Sequence, residues 1–196
     1  MIKLAKPIIS ETIIAKVAAV LRSGNLVQGH YVRLFEEALQ DYLGVENAVV
    51  VSSGTAALHL ALMALHIQNG DEVIVPAFTF PATANVVENV GARPVLVDIS
   101  LSDYCLDPAR IEGAITKKTK AIIVVHEFGQ AADMEKIVQI ARKHNLYLIE
   151  DAACAMGTRF NNRPVGAFGT VGCFSFHPRK IITTGEGGAV VREIMP

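Results

Sequence analysis

The stretch NAVVVSSGTAALHLALMALHIQNGDEVIV, residues 47–75, joins two short apolar runs through a longer segment of helical character. It predicts a strand at Ala48–Ser52, a helix at Thr55–Leu65 and a second strand at Glu72–Val75. The apolar runs are continuous in valine and isoleucine, which is typical of strands covered on both faces. A strand, a helix and a strand in this order predict parallel strands joined by a right-handed crossover.

The same alternation continues along the rest of the chain. Further strands are predicted at Arg93–Val97, Ala121–Val125, Tyr147–Glu150, Gly172–Ser175 and Ala189–Val191. Further helices are predicted at Pro81–Val90, Pro108–Ile115 and Asp133–His144. We therefore expect an α/β protein, with three α/β/α layers built on a mostly parallel seven-stranded sheet. Ligands of such sheets bind at the carboxyl ends of the strands, so the chemistry is expected in the turns that follow them.

Two amphipathic helices precede this pattern. The first is predicted at Ser10–Arg22, with an N-cap at Ser10 and an apolar stripe along one side. A short loop leads to the second, which is predicted at Tyr31–Leu43. A chain of 196 residues is expected to form one domain. It would consist of an N-terminal helix and loop (residues 1–30) and an α/β core (residues 31–196).

Composition argues against several kinds of partner and site. The net charge of −1 provides no basic excess for binding nucleic acid or anionic lipid. The 3 cysteines are dispersed, so neither a disulfide framework nor a structural zinc site is expected. No apolar run reaches the roughly 18 residues of a membrane helix, and the N-terminus does not resemble a signal peptide. We expect a cytoplasmic protein without nucleic-acid or membrane partners and without a metal.

Common nucleotide and hydrolase motifs are absent from the sequence. It contains no GxxxxGK[ST] P-loop, no HExxH metal motif and no GxSxG nucleophile turn. The glycines of Gly185–Gly188 lack the spacing of a dinucleotide-binding GxGxxG and precede a strand instead of following one. A Rossmann-type nucleotide binder fits the alternating strands and helices, but the missing fingerprint counts against it.

The turns after the first two strands carry small and aromatic residues. SSGTAA, residues 52–57, runs into a helix and offers free backbone N–H groups at the positive end of the helix dipole, which suits a phosphate. An ordinary helix N-cap at Ser53 or Thr55 is the alternative. PAFTF, residues 76–80, places two aromatic rings where one could lie on a planar ligand. The alternative is that both rings belong to the core.

Two later turns carry charged residues in apolar surroundings. EDAA, residues 150–153, follows a buried strand, where a carboxylate is costly unless it is paired, and a pyridinium N–H is a suitable partner. A helix cap or a metal ligand is the alternative. Lys180 ends the segment SFHPRK, residues 175–180, and is a candidate for imine chemistry. A solvated surface lysine is the alternative there.

Taken together and in this order, these segments resemble the sugar aminotransferases of the DegT/DnrJ family, which depend on pyridoxal 5′-phosphate (PLP). Their fold is that of aspartate aminotransferase, fold type I. The resemblance covers nearly the whole chain in blocks that follow the family's order. The blocks are GNLVQGHYVRLFEEAL (24–39), SSGTAALHLAL (52–62), GDEVIVPAFTFPATANVV (70–87), GARPVLVDI (91–99), IEDAA (149–153) and FSFHPRKIITTGEGGAVV (174–191).

The resemblance implies a PLP site. Lys180 is expected to hold the cofactor as a Schiff base and to transfer the proton during catalysis. Asp151 is expected to contact the pyridine nitrogen and keep it protonated. Phe80 is expected to stack on the cofactor ring. The cofactor phosphate is expected to be held by Gly54, Thr55, Ala56 and Ser175.

Three further residues lie in or beside the matching blocks. Many family members have glutamine or histidine where this chain has Cys154, near the phenolic oxygen of the cofactor. We therefore count Cys154 among the cofactor contacts, as a weaker hydrogen-bonding group. His126 and His177 also lie near the expected site, and the sequence assigns them no role.

The resemblance also implies a reaction. Glutamate or glutamine would give its amino group to the cofactor, and a nucleotide-linked keto-sugar would then take it up, in the biosynthesis of cell-surface polysaccharides or antibiotic sugars. Family members are much longer chains, so we expect the C-terminal small domain, with any sugar-binding residues that it carries, to be absent here. Apolar surface would then be exposed on the first helix, which predicts a homodimer or a larger assembly.

Two other functions stay open at this stage. The chain could be a truncated, catalytically silent domain that binds PLP or serves in assembly. A PLP-dependent sugar dehydratase has the same fold, but such relatives replace the Schiff-base lysine with histidine. The presence of Lys180 therefore disfavours the dehydratase.

Overall fold

A computed structural model describes residues 5–192. The α-helices of this part of the chain are α1 (Glu11–Ser23), α2 (His30–Leu43), α3 (Gly54–Ala64), α4 (Ala82–Asn89), α5 (Pro108–Ala114) and α6 (Met134–Lys143). The strands are β1 (Asn47–Val51), β2 (Glu72–Pro76), β3 (Arg93–Val97), β4 (Thr119–Val125), β5 (Tyr147–Asp151), β6 (Arg159–Phe160), β7 (Arg163–Pro164), β8 (Val171–Ser175) and β9 (Gly188–Arg192). A single 3₁₀ turn spans Glu127–Gly129.

Seven of these strands form one sheet, in the order β1-β9-β8-β5-β4-β2-β3. The pairs from β8 through β3 are parallel, whereas β9 runs antiparallel to both of its neighbours. The predicted mostly parallel seven-stranded sheet is therefore confirmed. The separate hairpin of β6 and β7 was not predicted; its two-residue turn has positive φ at Asn161 (47°) and Asn162 (64°).

Helices cover both faces of the sheet. α3 and α4 pack on one face, where their apolar residues meet the side chains of β2, β4, β5 and β8. The other face is covered by α5 and α6 over the β2–β5 half, and by α2 over β8 and β9. Because the central strands are buried on both sides, β2 and most of β4 read as continuous apolar runs in the sequence. The three-layer architecture follows from this covering.

Helix α1 differs from the others because none of its residues is buried. It begins as predicted: the Ser10 side chain accepts a hydrogen bond from the backbone N–H of Ile13 at 3.3 Å. Its apolar stripe is exposed, at 49% for Ile13 and Ile14, 53% for Val17 and 62% for Leu21. Within residues 5–192, no helix has both the length and the apolar character needed to cross a bilayer.

Candidate active site

The four turns singled out in the sequence meet at one edge of the sheet. The hydroxyl of Thr83, in the first turn of the helix that follows β2, donates a hydrogen bond to Oδ2 of Asp151 at 3.0 Å. Lys180 Nζ donates to Cys154 Sγ at 3.0 Å, which links the turn after β8 to the turn after β5. The turn after β1 reaches the end of β8 through Gly54, which lies against Ser175. One edge of the sheet therefore contains all four turns.

The turn before α3 is shaped to receive an anion. The Ser53 side chain caps the helix by accepting from the N–H of Ala56 at 3.1 Å. In the described part of the chain, the N–H groups of Gly54 and Thr55 have no hydrogen-bond partner. They point from the positive end of an 11-residue helix. Of the three residues predicted to hold a phosphate here, two thus offer a free N–H, whereas that of Ala56 is engaged.

Gly54 is required where the backbone of this turn meets β8. A Cβ at this position would lie 2.8 Å from Cβ of Ser175, closer than real side chains approach. The hydroxyl of Ser175 lies beside the same turn and accepts a hydrogen bond from the N–H of His177 at 3.4 Å. A serine hydroxyl and two free N–H groups thus lie together at this edge of the sheet.

Asp151 is a buried carboxylate with few partners. Its oxygens accept one hydrogen bond from Thr83 and one from the N–H of Ala153, at 3.0 and 3.1 Å. Burial raises the pKa of this carboxyl, while these two hydrogen bonds and the nearby charge of Lys180 work in the opposite direction. A cationic N–H placed against Asp151 would offset the desolvation of its charged form.

The adjacent Glu150 lies on the opposite face of β5 and is fully paired. Its two oxygens accept four hydrogen bonds, at 3.0, 2.7, 2.6 and 2.6 Å, from His126 Nε2 and from the N–H groups of Gly166, Phe168 and Gly169. His126 Nδ1 accepts from the N–H of Ala132 at 3.2 Å, so the ring proton lies on Nε2. His126, which had no role in the sequence analysis, is therefore a structural residue beneath the site.

Lys180 lies in a turn that is held by its own backbone and by threonines. Its N–H donates to the carbonyl of His177 at 2.8 Å. The Thr183 hydroxyl donates to the carbonyl of Phe176 at 2.8 Å. His177 helps to shape the same turn, since its Nδ1 accepts from the N–H of Arg179 at 3.2 Å. Lys180 is half-buried and contacts Cys154, so it is not the freely solvated surface lysine of the alternative.

The aromatic residues after β2 are exposed. Phe80 is 73% exposed and Phe78 is 46% exposed, so the alternative that both rings belong to the core is wrong. The carbonyl of Phe80 accepts from the N–H of Thr83, which fixes the backbone where α4 begins. A large exposed ring beside Asp151 is free to cover a planar ligand.

A phosphate-bearing pyridine aldehyde fits this set of residues. The free N–H groups at α3 and the Ser175 hydroxyl suit a phosphate. Asp151 suits a protonated ring nitrogen, and the Lys180 amine suits an aldehyde carbon. Within residues 5–192, no group of three or more His, Cys, Asp or Glu side chains is arranged to hold a metal.

Sequence reasoning missed two parts of this site. Thr83 supplies one of the two hydrogen bonds to Asp151, yet in the sequence it is a threonine near the start of a helix. The hydrogen bonds from residues 166–169 to Glu150 come from backbone groups, which have no sequence signature. A glutamate between a run of apolar residues and Asp151 was the available signal, because a buried charge requires several donors.

Comparison with known proteins places this geometry in a family. Residues 7–193 match the DegT/DnrJ/EryC1/StrS aminotransferase family. The chain is 50% identical over 162 residues to a GDP-perosamine synthase of Caulobacter vibrioides, covering 83% of this chain and 44% of the relative. It is 47% identical over 182 residues to a UDP-N-acetyl-3-dehydro-alpha-D-glucosamine 3-aminotransferase of Acidithiobacillus ferrooxidans, covering 92% and 49%.

Solved structures agree with the sequence relatives. The protein Spr1654 of Streptococcus pneumoniae in its PLP form superposes with a TM-score of 0.96 at 35% identity, over 100% of this chain and 54% of that one. The chain thus spans about half the length of the curated relatives it matches. Match length, identity and superposition all support the conclusion that the chain belongs to the DegT/DnrJ/EryC1/StrS aminotransferase family.

Proposed function

We propose that this chain forms the PLP-binding large domain of a sugar aminotransferase, with Lys180 as the residue that binds the cofactor covalently. One observation supports this most strongly: the Lys180 amine lies 3.0 Å from Sγ of Cys154, in the same turn after β5 that begins with the buried Asp151 carboxylate. PLP supplies an electron-accepting ring and an aldehyde when it is bound. The relative of known structure in its PLP form supports this choice of cofactor.

Each residue of the proposed site has a physical task. The Lys180 amine would hold the cofactor covalently at its aldehyde carbon, with loss of water, and once displaced from it would serve as the base that moves the substrate proton. Asp151 holds a proton on the ring nitrogen, and Thr83 keeps the carboxylate oriented. The free N–H groups of Gly54 and Thr55, with the Ser175 hydroxyl, bind the phosphate, and Phe80 covers the ring. Cys154 accepts the Lys180 hydrogen bond until the cofactor binds.

The proposed substrates are a nucleotide-linked keto-sugar as acceptor and glutamate or glutamine as amino donor. The two curated relatives are named for a GDP-linked and a UDP-linked sugar, which supports this class of acceptor. The dehydratase alternative is disfavoured by Lys180. The silent-domain alternative remains the second candidate, because the chain spans about half the length of these relatives.

We also propose a homodimer and a cytoplasmic location. The exposed apolar stripe of α1 supports association, since apolar surface of this kind is normally covered. Substrates of this class are cytoplasmic metabolites, and a net charge of −1 gives no reason to expect a nucleic-acid or membrane partner. Light scattering after size exclusion should give at least twice the mass of the 21.0 kDa chain, and a monomer at every concentration would contradict the dimer.

An absorbance spectrum with added PLP tests the proposed function. The wild-type chain should form a yellow adduct that borohydride reduces irreversibly, and the peptide containing Lys180 should then carry the added mass. Lys180→Ala should form no such adduct, whereas Lys136→Ala, which changes an exposed lysine of α6, should behave as the wild type does. An equal adduct in the Lys180 variant would overturn the assignment. An adduct without turnover of any keto-sugar would favour the silent domain.

A further inference from the structure

Three exposed aromatic rings stand together beside the proposed cofactor site. Phe78, Tyr104 and Phe128 come from three separate turns, and their ring centroids are 6.0, 6.1 and 6.2 Å apart in pairs. Their exposed fractions are 46%, 48% and 70%. We call these three residues the aromatic platform. Rings that cluster with one another but stay exposed form a surface suited to an apolar ligand face.

Two of the three rings are held by a strained backbone. Tyr104 has φ of 60° and Phe128 has φ of 53°, a left-handed conformation that bulky residues rarely adopt. Each costs about 1 kcal/mol or more, so the neighbouring structure must enforce it. Hydrogen bonds close both turns, from Tyr104 N–H to the Ser100 carbonyl at 2.9 Å and from Gln130 N–H to the Glu127 carbonyl at 2.8 Å. Strain of this kind is typical of ligand-binding positions.

The platform adjoins the residues of the proposed site. Phe78 is followed by Thr79, whose hydroxyl lies 3.2 Å from that of Thr83, the partner of Asp151. Phe128 is followed by Gly129, at which a Cβ would lie 3.1 Å from the carbonyl oxygen of Cys154. Cys154 in turn contacts Lys180. Short contacts therefore connect the platform to both sides of the Asp151–Lys180 pair.

A carboxylate adjoins the platform, because Glu127 directly precedes Phe128 in the 3₁₀ turn Glu127–Gly129. Burial, and then the charge of Asp151, raise the pKa of Glu127, while the charge of Lys180 lowers it. Glu127 also acts on the thiol of Cys105, which follows Tyr104 directly. Among the described residues, no lysine, arginine or histidine forms an ion pair with Glu127. An apolar protein partner packed on the platform would leave this half-buried carboxylate unpaired, whereas a polyhydroxylated ligand would not.

We propose that the aromatic platform and Glu127 bind the sugar ring of the acceptor. The apolar face of the sugar stacks on the rings, and its hydroxyl groups donate to the Glu127 carboxylate. This inference rests on the proposed function, because it names where that acceptor binds. It also assigns sugar-binding residues to this chain, in addition to any that the sequence analysis expected in a C-terminal domain.

Binding of sugar nucleotides to the PLP-loaded chain tests the inference. The probes are UDP-N-acetylglucosamine and GDP-mannose, each compared with its own nucleoside diphosphate by calorimetry. The test variant combines Tyr104→Asn and Phe128→Asn, because asparagine tolerates positive φ and keeps both turns. Its affinity for the better-bound sugar nucleotide should fall at least about tenfold, as expected for stacked aromatic contacts. Its affinity for the free diphosphate should change less than about twofold.

Two matched variants serve as controls. Tyr147→Ala removes an exposed ring at the amino end of β5 and should bind as the wild type does. Glu127→Gln should weaken sugar-nucleotide binding several-fold, whereas Glu46→Gln, at an exposed site, should not. The inference is overturned if neither sugar nucleotide binds more tightly than its diphosphate, or if the double variant binds both equally well or loses both equally. The reducible Lys180 adduct is read separately, so its absence would count against the proposed function and not against the platform.

Discussion

Glu150 and Asp151 are neighbours in sequence and are both buried, yet their carboxylates accept different numbers of hydrogen bonds. Glu150 accepts four hydrogen bonds and joins β4, β5 and the loop before β8. Asp151 accepts two, and burial raises the pKa of its carboxyl. Because successive residues of a strand face opposite sides, Glu150 lies on the side of His126 and Asp151 on the side of Thr83.

This difference separates stabilisation from function. The oxygens of Glu150 are saturated by donors that belong to the fold, so this residue has no remaining capacity for a ligand. Asp151 is buried with only two hydrogen-bond donors, so its charged form destabilises the chain when no ligand is bound. Its oxygens can still accept a hydrogen bond from a cationic N–H of a ligand. Variants of Glu150 should therefore change mainly the free energy of unfolding, and variants of Asp151 mainly turnover.

The largest effect is expected on transamination. Asp151→Asn should lower turnover by about 10³-fold or more, because an amide cannot keep the ring nitrogen protonated. The variant should still form the reducible adduct through Lys180. Turnover is measured with glutamate and a keto-sugar panel. Near-normal turnover would show that the carboxylate does not act on the ring nitrogen.

The next largest effect is expected on folding. Glu150→Gln should lower the free energy of unfolding by about 3 kcal/mol. Each oxygen of Glu150 accepts two hydrogen bonds, so in either orientation of the glutamine amide its N–H₂ group would face two N–H donors and leave them without an acceptor. Urea denaturation followed by circular dichroism measures this change. The exposed Glu46→Gln should stay within about 0.5 kcal/mol of the wild type. An equal change in both variants would contradict the claim that the four hydrogen bonds of Glu150 stabilise the fold.

The smallest effect is expected from Asp151 on stability, with the opposite sign. Its folded pKa is raised above the ordinary value of 3.8, so the folded chain holds this proton more tightly than the unfolded chain does. The stability that the protonated Asp151 carboxyl adds to the folded chain is present below pH 3.8 and is lost as pH rises through the folded pKa. Without PLP, Asp151→Asn should therefore gain stability over the wild type as pH rises, by less than the Glu150→Gln loss. Urea midpoints between pH 4 and 8 measure the gain. A gain that becomes smaller as pH rises would contradict the raised pKa of Asp151 in the folded chain.

The sequence was sufficient for the fold because local patterns determined it. Continuous valine and isoleucine runs marked β2 and β4, and the serine before α3 marked where that helix begins. The clustering of Lys180, Asp151 and the turn at residues 52–57 followed from the rule that strand ends share one sheet edge. Their roles rested on the family resemblance and are still predictions.

The parts that escaped prediction depend on long-range geometry. Thr83 and Asp151 are 68 residues apart, and nothing local marks the threonine as a partner of that carboxylate. The antiparallel direction of β9 follows from a short return of the chain through the Lys180 turn, which apolar periodicity cannot reveal. The aromatic platform required three turns to be brought together in space, and only one of them had been noticed.

The place of β9 has a consequence for how the protein is made. β9 is inserted between β1 and β8, and β1 has no other neighbour in the sheet among the described residues. A ribosome releases β1 early, but its hydrogen-bonding partner emerges only after residue 188 has been translated. Until then the side of β1 that β9 covers is open to other chains, and the closing step joins segments far apart in sequence. Nascent chains stalled before β9 should therefore depend on chaperones more than the finished polypeptide does.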